Sequence, residues 1–265
     1  MKLILALLFF CSGVQAEEAK SLSVAFGKGR PPYSFSERGN TRGIEVDLAM
    51  EILKRLGYKV RQQVMSPYRI EAEAKHGNTF DVVVGVPQNG DGAGHYYSKP
   101  FVAYENYLIA LRSRKLSAKK VSDLSGVRVG AWHNAWKDLG KDFARVFSPK
   151  ANGRLPDNYR EFVRQEDQVK ALWAGDIDAL VMDRYIFGWF RMTMASQVNT
   201  GADVDVFDLF PVVNHSHVAF RDAKLRSAFD KELERMRQSG EYDNIVRIYV
   251  GERLAAMLKS GPKPH

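Results

Sequence analysis

The sequence predicts an α/β chain folded as two units with a cleft between them. Three observations lead there. Strand and helix signals alternate along most of the chain. Two continuous apolar runs, 80–86 and 177–182, read as strands buried on both faces, as in a parallel sheet. Each run sits in its own set of alternating elements of ordinary domain size, about 100 residues. In open α/β sheets ligands bind beyond the carboxyl ends of the strands, and pockets favour domain interfaces. The pattern therefore implies a small ligand held between two units.

The elements follow in order. Residues 22–26 alternate apolar and polar, as a half-buried strand does. Arg30-Pro31-Pro32-Tyr33 ends that strand. Asp47 is the expected N-cap of a helix in which Leu48, Met50, Ile52, Leu53 and Leu56 recur at helical spacing, and Gly57 closes it. A strand at 58–64, a helix at 69–76 ending at Gly77, and the buried strand at 80–86 complete the first unit. The second unit opens with an extended segment at 107–111 and a short linking element at 121–124. A strand at 127–131, a helix at 134–147, a helix at 165–173 ending at Gly175, the buried strand at 177–182 and a helix at 185–194 follow. A strand at 217–220 and helices at 225–238 and 242–250 finish the fold, and the tail at 261–265 is expected to fray.

Composition narrows the class. The chain has 265 residues, a formal net charge of +8 and one cysteine. A single cysteine excludes an intramolecular disulfide framework and any cysteine-cluster metal site. Residues 1–16 carry Lys2, an apolar run at 3–10 and small residues ending at Ala16, the pattern of a secretory signal peptide cleaved after Ala16. The bulky Phe9 and Phe10 before Cys11 argue against a lipid-anchor signal. The expected product is a soluble, cysteine-free protein in the periplasm. The basic residues are scattered, with no aromatic-interleaved stripe, so no nucleic-acid partner is expected.

The order of motifs resembles the bacterial extracellular solute-binding proteins of family 3, the periplasmic receptors that feed ABC importers with polar amino acids. The matching segments are RPPYSF, GIEVDLAMEILKRLGYKV, HGNTFDVVVGV, YYSKPF, VSDLSGVRVGA, LWAGDIDALVMDRY and the C-terminal run from HVAFRDAK to RIYVG. The resemblance covers essentially the whole chain after residue 16. It implies the two-lobe periplasmic-binding-protein fold of type II, with two hinge strands and a ligand cleft between the lobes. Lobe one is then built from 17–108 and 213–265, and lobe two from 109–212. It also implies a small polar ligand, a possible ABC permease partner in the inner membrane, a monomer, and neither cofactor nor metal.

Site residues carry over unevenly. The acid that pairs with a ligand amino group corresponds to Asp183, directly after the buried strand; its alternative reading is a helix N-cap. The family's Thr-x-x-Arg carboxylate clamp has no counterpart, because the loop reads VPQNGDGAGHYYSKPF, with Gln88, Asp91 and His95 instead. Arg30, where an aromatic is usual, and Arg69 are the candidate replacements, a guanidinium being suited to bidentate carboxylate recognition. Tyr68 and Trp132 are candidate stacking faces, against a plain packing role. Tyr33, His133 and Asn134 complete the set, the last two in the lobe-two turn where family members usually carry Gly, Ser or Thr. His215 and His217 form an H-x-H pair read as hinge strand rather than metal site. No nucleophile elbow, metalloprotease or nucleotide-loop motif is present. The remaining alternatives are a sensory module on the same fold and, less favoured, a dehydratase-like enzyme using Asp183 and His133.

Overall fold

The computed structural model describes residues 20–88, 94–210 and 213–258. The leader at 1–16, Asp91 and the tail at 261–265 lie outside the described residues.

The chain begins with β1 (Ser21–Gly27), the hairpin strands β2 (Phe35–Glu37) and β3 (Asn40–Arg42), α1 (Ile44–Arg55), β4 (Lys59–Met65), α2 (Pro67–His76), β5 (Val82–Val86), β6 (Tyr96–Tyr97) and β7 (Val102–Tyr104). It continues through β8 (Asn106–Leu111), β9 (Val129–Trp132), α3 (Lys141–Phe147), β10 (Tyr159–Phe162), α4 (Gln165–Ala174), β11 (Ala179–Asp183), α5 (Arg184–Thr193) and β12 (Val204–Phe207). It ends with β13 (Asn214–Phe220), α6 (Ala223–Gln238) and α7 (Glu241–Leu258).

Two larger sheets result. The first runs β4-β1-β5-β13-β6, with β7 also on β13. Its β1, β4 and β5 are parallel, and β13 runs against β5. The second runs β10-β9-β11-β8-β12, parallel through β10, β9 and β11. The chain crosses from first to second at Glu105, between β7 and β8, and returns between β12 and β13. The two crossings lie side by side, since Tyr104 pairs with Asn214. The division placed at 108/109 from the sequence falls inside β8.

The buried strands are the framework. β5 and β11 are buried at every position, which is why they read as continuous apolar runs. Leu48, Ala49, Ile52 and Leu53 of α1 join Phe26, Val84 and Phe220 in one apolar cluster, which also takes in Ile109, Leu180, Met182 and Phe187 from the second sheet's layer. A separate cluster of Phe143, Phe147, Tyr159 and Phe210 fills the other face of the second sheet.

Local chemistry shifts several expected boundaries. α1 starts at Ile44, capped by Gly43 at φ 133°, so Asp47 lies inside the helix and its carboxylate accepts the Tyr249 hydroxyl of α7. A Cβ on Gly43 would lie 2.2 Å from the Tyr33 carbonyl oxygen, so only glycine fits there. α2 begins earlier than expected because Pro67 takes its first turn, where a missing N–H costs nothing. The single helix expected at 134–147 is instead a 3-10 turn, Ala135–Lys137, followed by α3, divided at Gly140 with φ 90°. The strand expected at 127–131 begins at Val129 and reaches Trp132. The short edge strands β6, β7, β10 and β12 carry too few residues to announce themselves by periodicity. Among the described residues, no helix is long and apolar enough to cross a membrane.

Candidate functional site

The carboxyl ends of β1, β5, β9 and β11 face the space between the two sheets. Most of the candidate residues lie on the segments that follow these strands or β4.

Asp183 ends β11, is 2% exposed, and caps α5. Its Oδ1 accepts from the Tyr185 N–H at 2.9 Å, the Ile186 N–H at 3.1 Å and the Tyr33 hydroxyl at 3.0 Å. Its Oδ2 accepts from the Glu105 N–H at 2.9 Å. Asp183 therefore holds the crossing residue between the lobes and, through Tyr33, the first loop of lobe one. Burial raises its pKa to about 6, while the hydrogen bonds from Ile186, Tyr33, Glu105 and Tyr185 pull the other way. Glu105 is fixed from several sides: its carbonyl accepts from the Arg184 N–H, and its carboxylate pairs with the Arg184 guanidinium and accepts the Tyr107 hydroxyl.

Tyr33 is fully buried, its ring centroid 4.3 Å from that of Tyr104. Burial and the Asp183 carboxylate push its hydroxyl well above the ordinary tyrosine range. Tyr104 donates to Glu45 Oε1 at 2.8 Å, and Glu45 is 1% exposed. Arg30 completes this group. Its Nη2 donates to the Gly85 carbonyl at 2.8 Å and to Glu45 Oε2 at 3.3 Å, and its guanidinium lies 5.8 Å from the Tyr104 ring centroid. Glycine at 85 is required: φ is +79°, and a Cβ would lie 2.5 Å from Glu45 Oε2 and 2.8 Å from Arg30 Nη2. The Arg30 side chain is 26% exposed.

At the cleft mouth, Tyr68 is 56% exposed on the first turn of α2. It meets His133 of lobe two edge-on, ring centroids 6.0 Å apart. His133 Nδ1 lies 2.9 Å from Glu161 Oε2. Arg69 is exposed and, among the described residues, bonded to nothing. Trp132 is half-buried; its indole N–H donates to Asp138 Oδ2 at 3.1 Å and its ring packs on the lobe-two core. Burial raises the Asp138 pKa, and that indole bond opposes the rise. Asn134 adopts φ +63° and its carbonyl accepts from the Lys137 N–H, closing the 3-10 turn.

The structure thus brings Arg30, Tyr33 and Asp183 into one inner network and pairs Tyr68 with His133; Arg69, next to Tyr68 on α2, is exposed and joins neither group among the described residues. Trp132 is pinned within lobe two. His95 is buried beside Arg221 and Glu73, with neither ring nitrogen bonded. His217 is buried with Nδ1 on the Ser98 carbonyl, whereas His215 is exposed. Among the described residues no group of three metal-ligating side chains converges.

Sequence reasoning missed Glu45, Tyr104, Glu105, Gly85 and Glu161. A signal existed for Glu45: it shares helical spacing with Leu48, Ala49 and Ile52, which places an acid on the buried face. The crossing residues carry no such local mark.

Comparison with known proteins agrees with this architecture. The family model described as bacterial extracellular solute-binding proteins, family 3, matches residues 22–252. A probable amino-acid-binding protein of Bacillus subtilis (strain 168), YxeM, is 24% identical over 238 residues, 86% of this chain and 83% of that protein. The arginine-binding extracellular protein ArtP of the same organism is 23% identical, covering 88% of each. The arginine-, lysine-, histidine-binding protein ArtJ of Geobacillus stearothermophilus superposes with a TM-score of 0.67 at 16% identity, over 89% of this chain and all of that one. The fold is the two-lobe α/β fold of type II periplasmic binding proteins.

Proposed function

The chain belongs to the bacterial extracellular solute-binding proteins of family 3, and on that premise we propose that it captures a small polar ligand, an amino acid or related compound, by closing its two lobes. The protein is then a binding component rather than an enzyme. It works as a monomer in the periplasm after cleavage at Ala16 and hands its ligand to an ABC permease.

The family match across both sheets carries this reading. The geometry supports it physically. Cross-lobe contacts at Tyr33–Asp183, Tyr68–His133 and Phe35–Trp189 join surfaces that hinge motion at Glu105 and its neighbouring return strand would part. On this reading Arg30, Tyr68, Arg69 and His133 are the groups that meet the ligand. Asp183 serves as the hinge-side cap. Arginine is named for two of the relatives, so basic amino acids belong in the first panel tested.

A thermal-shift screen of the protein lacking residues 1–16 tests the reading, because a ligand of the folded state raises the melting temperature by mass action. The expected result is a saturable rise with at least one amino acid or close analogue. No rise across amino acids, their deaminated analogues and related amines contradicts it. For delivery, uptake of the same compound should fall when the gene is deleted and return with the intact gene alone.

A further inference from the structure

Asp183 and Arg30 stand at the two sides of the inner cleft, and the protein has used them very differently. A carboxylate offers about four lone-pair sites. Asp183 accepts four hydrogen bonds, three at Oδ1 from the Tyr185 and Ile186 N–H groups and the Tyr33 hydroxyl and one at Oδ2 from the Glu105 N–H. Three of these donors are backbone groups. Two belong to the first turn of α5, one to the crossing residue, and the Tyr33 ring is buried against Tyr104. An ammonium group entering the cleft would have to compete with these donors for a carboxylate that is 2% exposed.

Arg30 shows the opposite state. Only its Nη2 is engaged, by Gly85 and Glu45. Its Nη1 and Nε carry no bond to protein among the described residues, and the side chain is partly exposed at the ends of β1 and β5. Gly85 clears the space for the guanidinium, and Glu45 and Tyr104 hold it from behind. Both bidentate edges of a guanidinium use Nη2, which is spent here, so the free Nη1 and Nε are charged donors that offer a carboxylate single hydrogen bonds. Arg69, exposed on α2 beside Tyr68, has no hydrogen bond or ion pair from its side chain among the described residues.

We propose that the cleft selects organic carboxylates without requiring an α-ammonium group, Arg30 taking the carboxylate while Asp183 stays a structural hinge pin. This inference rests on the solute-binding reading above and narrows its ligand class.

The test uses matched sets on the protein lacking residues 1–16: L-glutamate, 2-hydroxyglutarate and 2-oxoglutarate; L-alanine, L-lactate and pyruvate; and L-arginine beside agmatine, which keeps the amines and lacks the carboxylate. Affinities come from calorimetry. Loss of a charged hydrogen bond is worth about tenfold or more in affinity, which sets the threshold. The expected result is that a hydroxy or oxo acid binds, that its amino acid is not tighter by more than about tenfold, and that agmatine does not bind. An amino acid tighter than both deaminated partners by more than that factor, or binding of agmatine, overturns the inference and leaves the solute-binding reading standing. Failure of every compound in these sets overturns the inference, and the solute-binding reading falls with it only if the thermal-shift screen is also empty. A charge-balanced double variant, Arg30→Gln with Glu45→Gln, keeps the buried site neutral; it should lose the carboxylate response, and an unchanged response removes Arg30 from the site.

Discussion

Replacing Tyr33 by Phe removes one hydroxyl from the junction between the lobes and leaves its ring in place. That hydroxyl donates to a carboxylate that is 2% exposed, at 3.0 Å. Water cannot take over at a buried site, and the ring still fills its space, so no cavity term enters. A hydrogen bond to a charged group contributes about 1.5–3 kcal/mol, and a neutral one about 0.5–1.5 kcal/mol. The charge of Asp183 decides which applies. Its folded pKa of about 6 lies above the unfolded carboxylate value because of burial. Between that unfolded value, about 3.9, and about 6 the native state binds the extra proton, so Asp183 makes the protein less stable as pH rises through this window. The shift of about two units corresponds to about 3 kcal/mol once both states are ionised. The Tyr33→Phe deficit should therefore be about 1.5–3 kcal/mol near pH 8 and about half that near pH 4.5. It should appear as a melting temperature lowered by about 3–12 °C at the higher pH. Urea unfolding followed by circular dichroism at both pH values measures it. A deficit below about 0.5 kcal/mol near pH 8, or one equal at both pH values, refutes the assignment of Tyr33 as a donor to an ionised Asp183. Asp183→Asn, which cannot titrate, should lose this part of the pH slope.

Gly85→Ala should cost the positive-φ penalty of about 1–2 kcal/mol plus about 1–3 kcal/mol for crowding Glu45 and Arg30. Gly57→Ala, at φ +84° with open space around it, should cost only the first of these, and equal losses in denaturant melts would contradict the packing around Arg30. His95 has its pKa lowered by burial and then by Arg221, so stability should fall as pH drops below the ordinary histidine value of about 6.5. His95→Phe should flatten that fall, and an unchanged pH profile would exclude His95 as its source. Tyr68→Ala should leave the melting temperature of the free protein within about 2 °C, because the ring is exposed, and should weaken binding of whichever compound the screen identifies by about 2- to 10-fold. Undiminished affinity in calorimetry would place Tyr68 outside the site.

The fold was legible because its largest elements advertise themselves locally. The all-buried β5 and β11, and the helical stripe of Leu48, Ile52 and Leu53, are patterns within a dozen residues. Short edge strands such as β6, two residues long, have no period to detect and exist only because β13 lies beside them. The position of Asp183 at the end of a buried strand was readable, and so was its alternative as a helix cap, which it fulfils here. Its partners were not. Tyr33 lies 150 residues away in sequence and Glu105 lies 78 away, and no local pattern links them. Arg30 stood out as a cation in place of an aromatic, yet its state depends on Glu45, Tyr104 and the missing side chain at Gly85. Only the packed structure sets those four together.

The most direct test of a ligand held between the lobes is an amide proton–nitrogen correlation NMR titration of the protein lacking residues 1–16, using the tightest compound from the calorimetric sets. The expected result is saturable movement of amides on both sides of the cleft together, around Arg30 and Tyr68 in lobe one and around His133 and Asn134 in lobe two, with Glu105 moving at the hinge. Movement confined to one lobe, or centred on the groove of about 630 Å³ between α1, β4 and α7 lined by Met50, Tyr58 and Ile245, would contradict it.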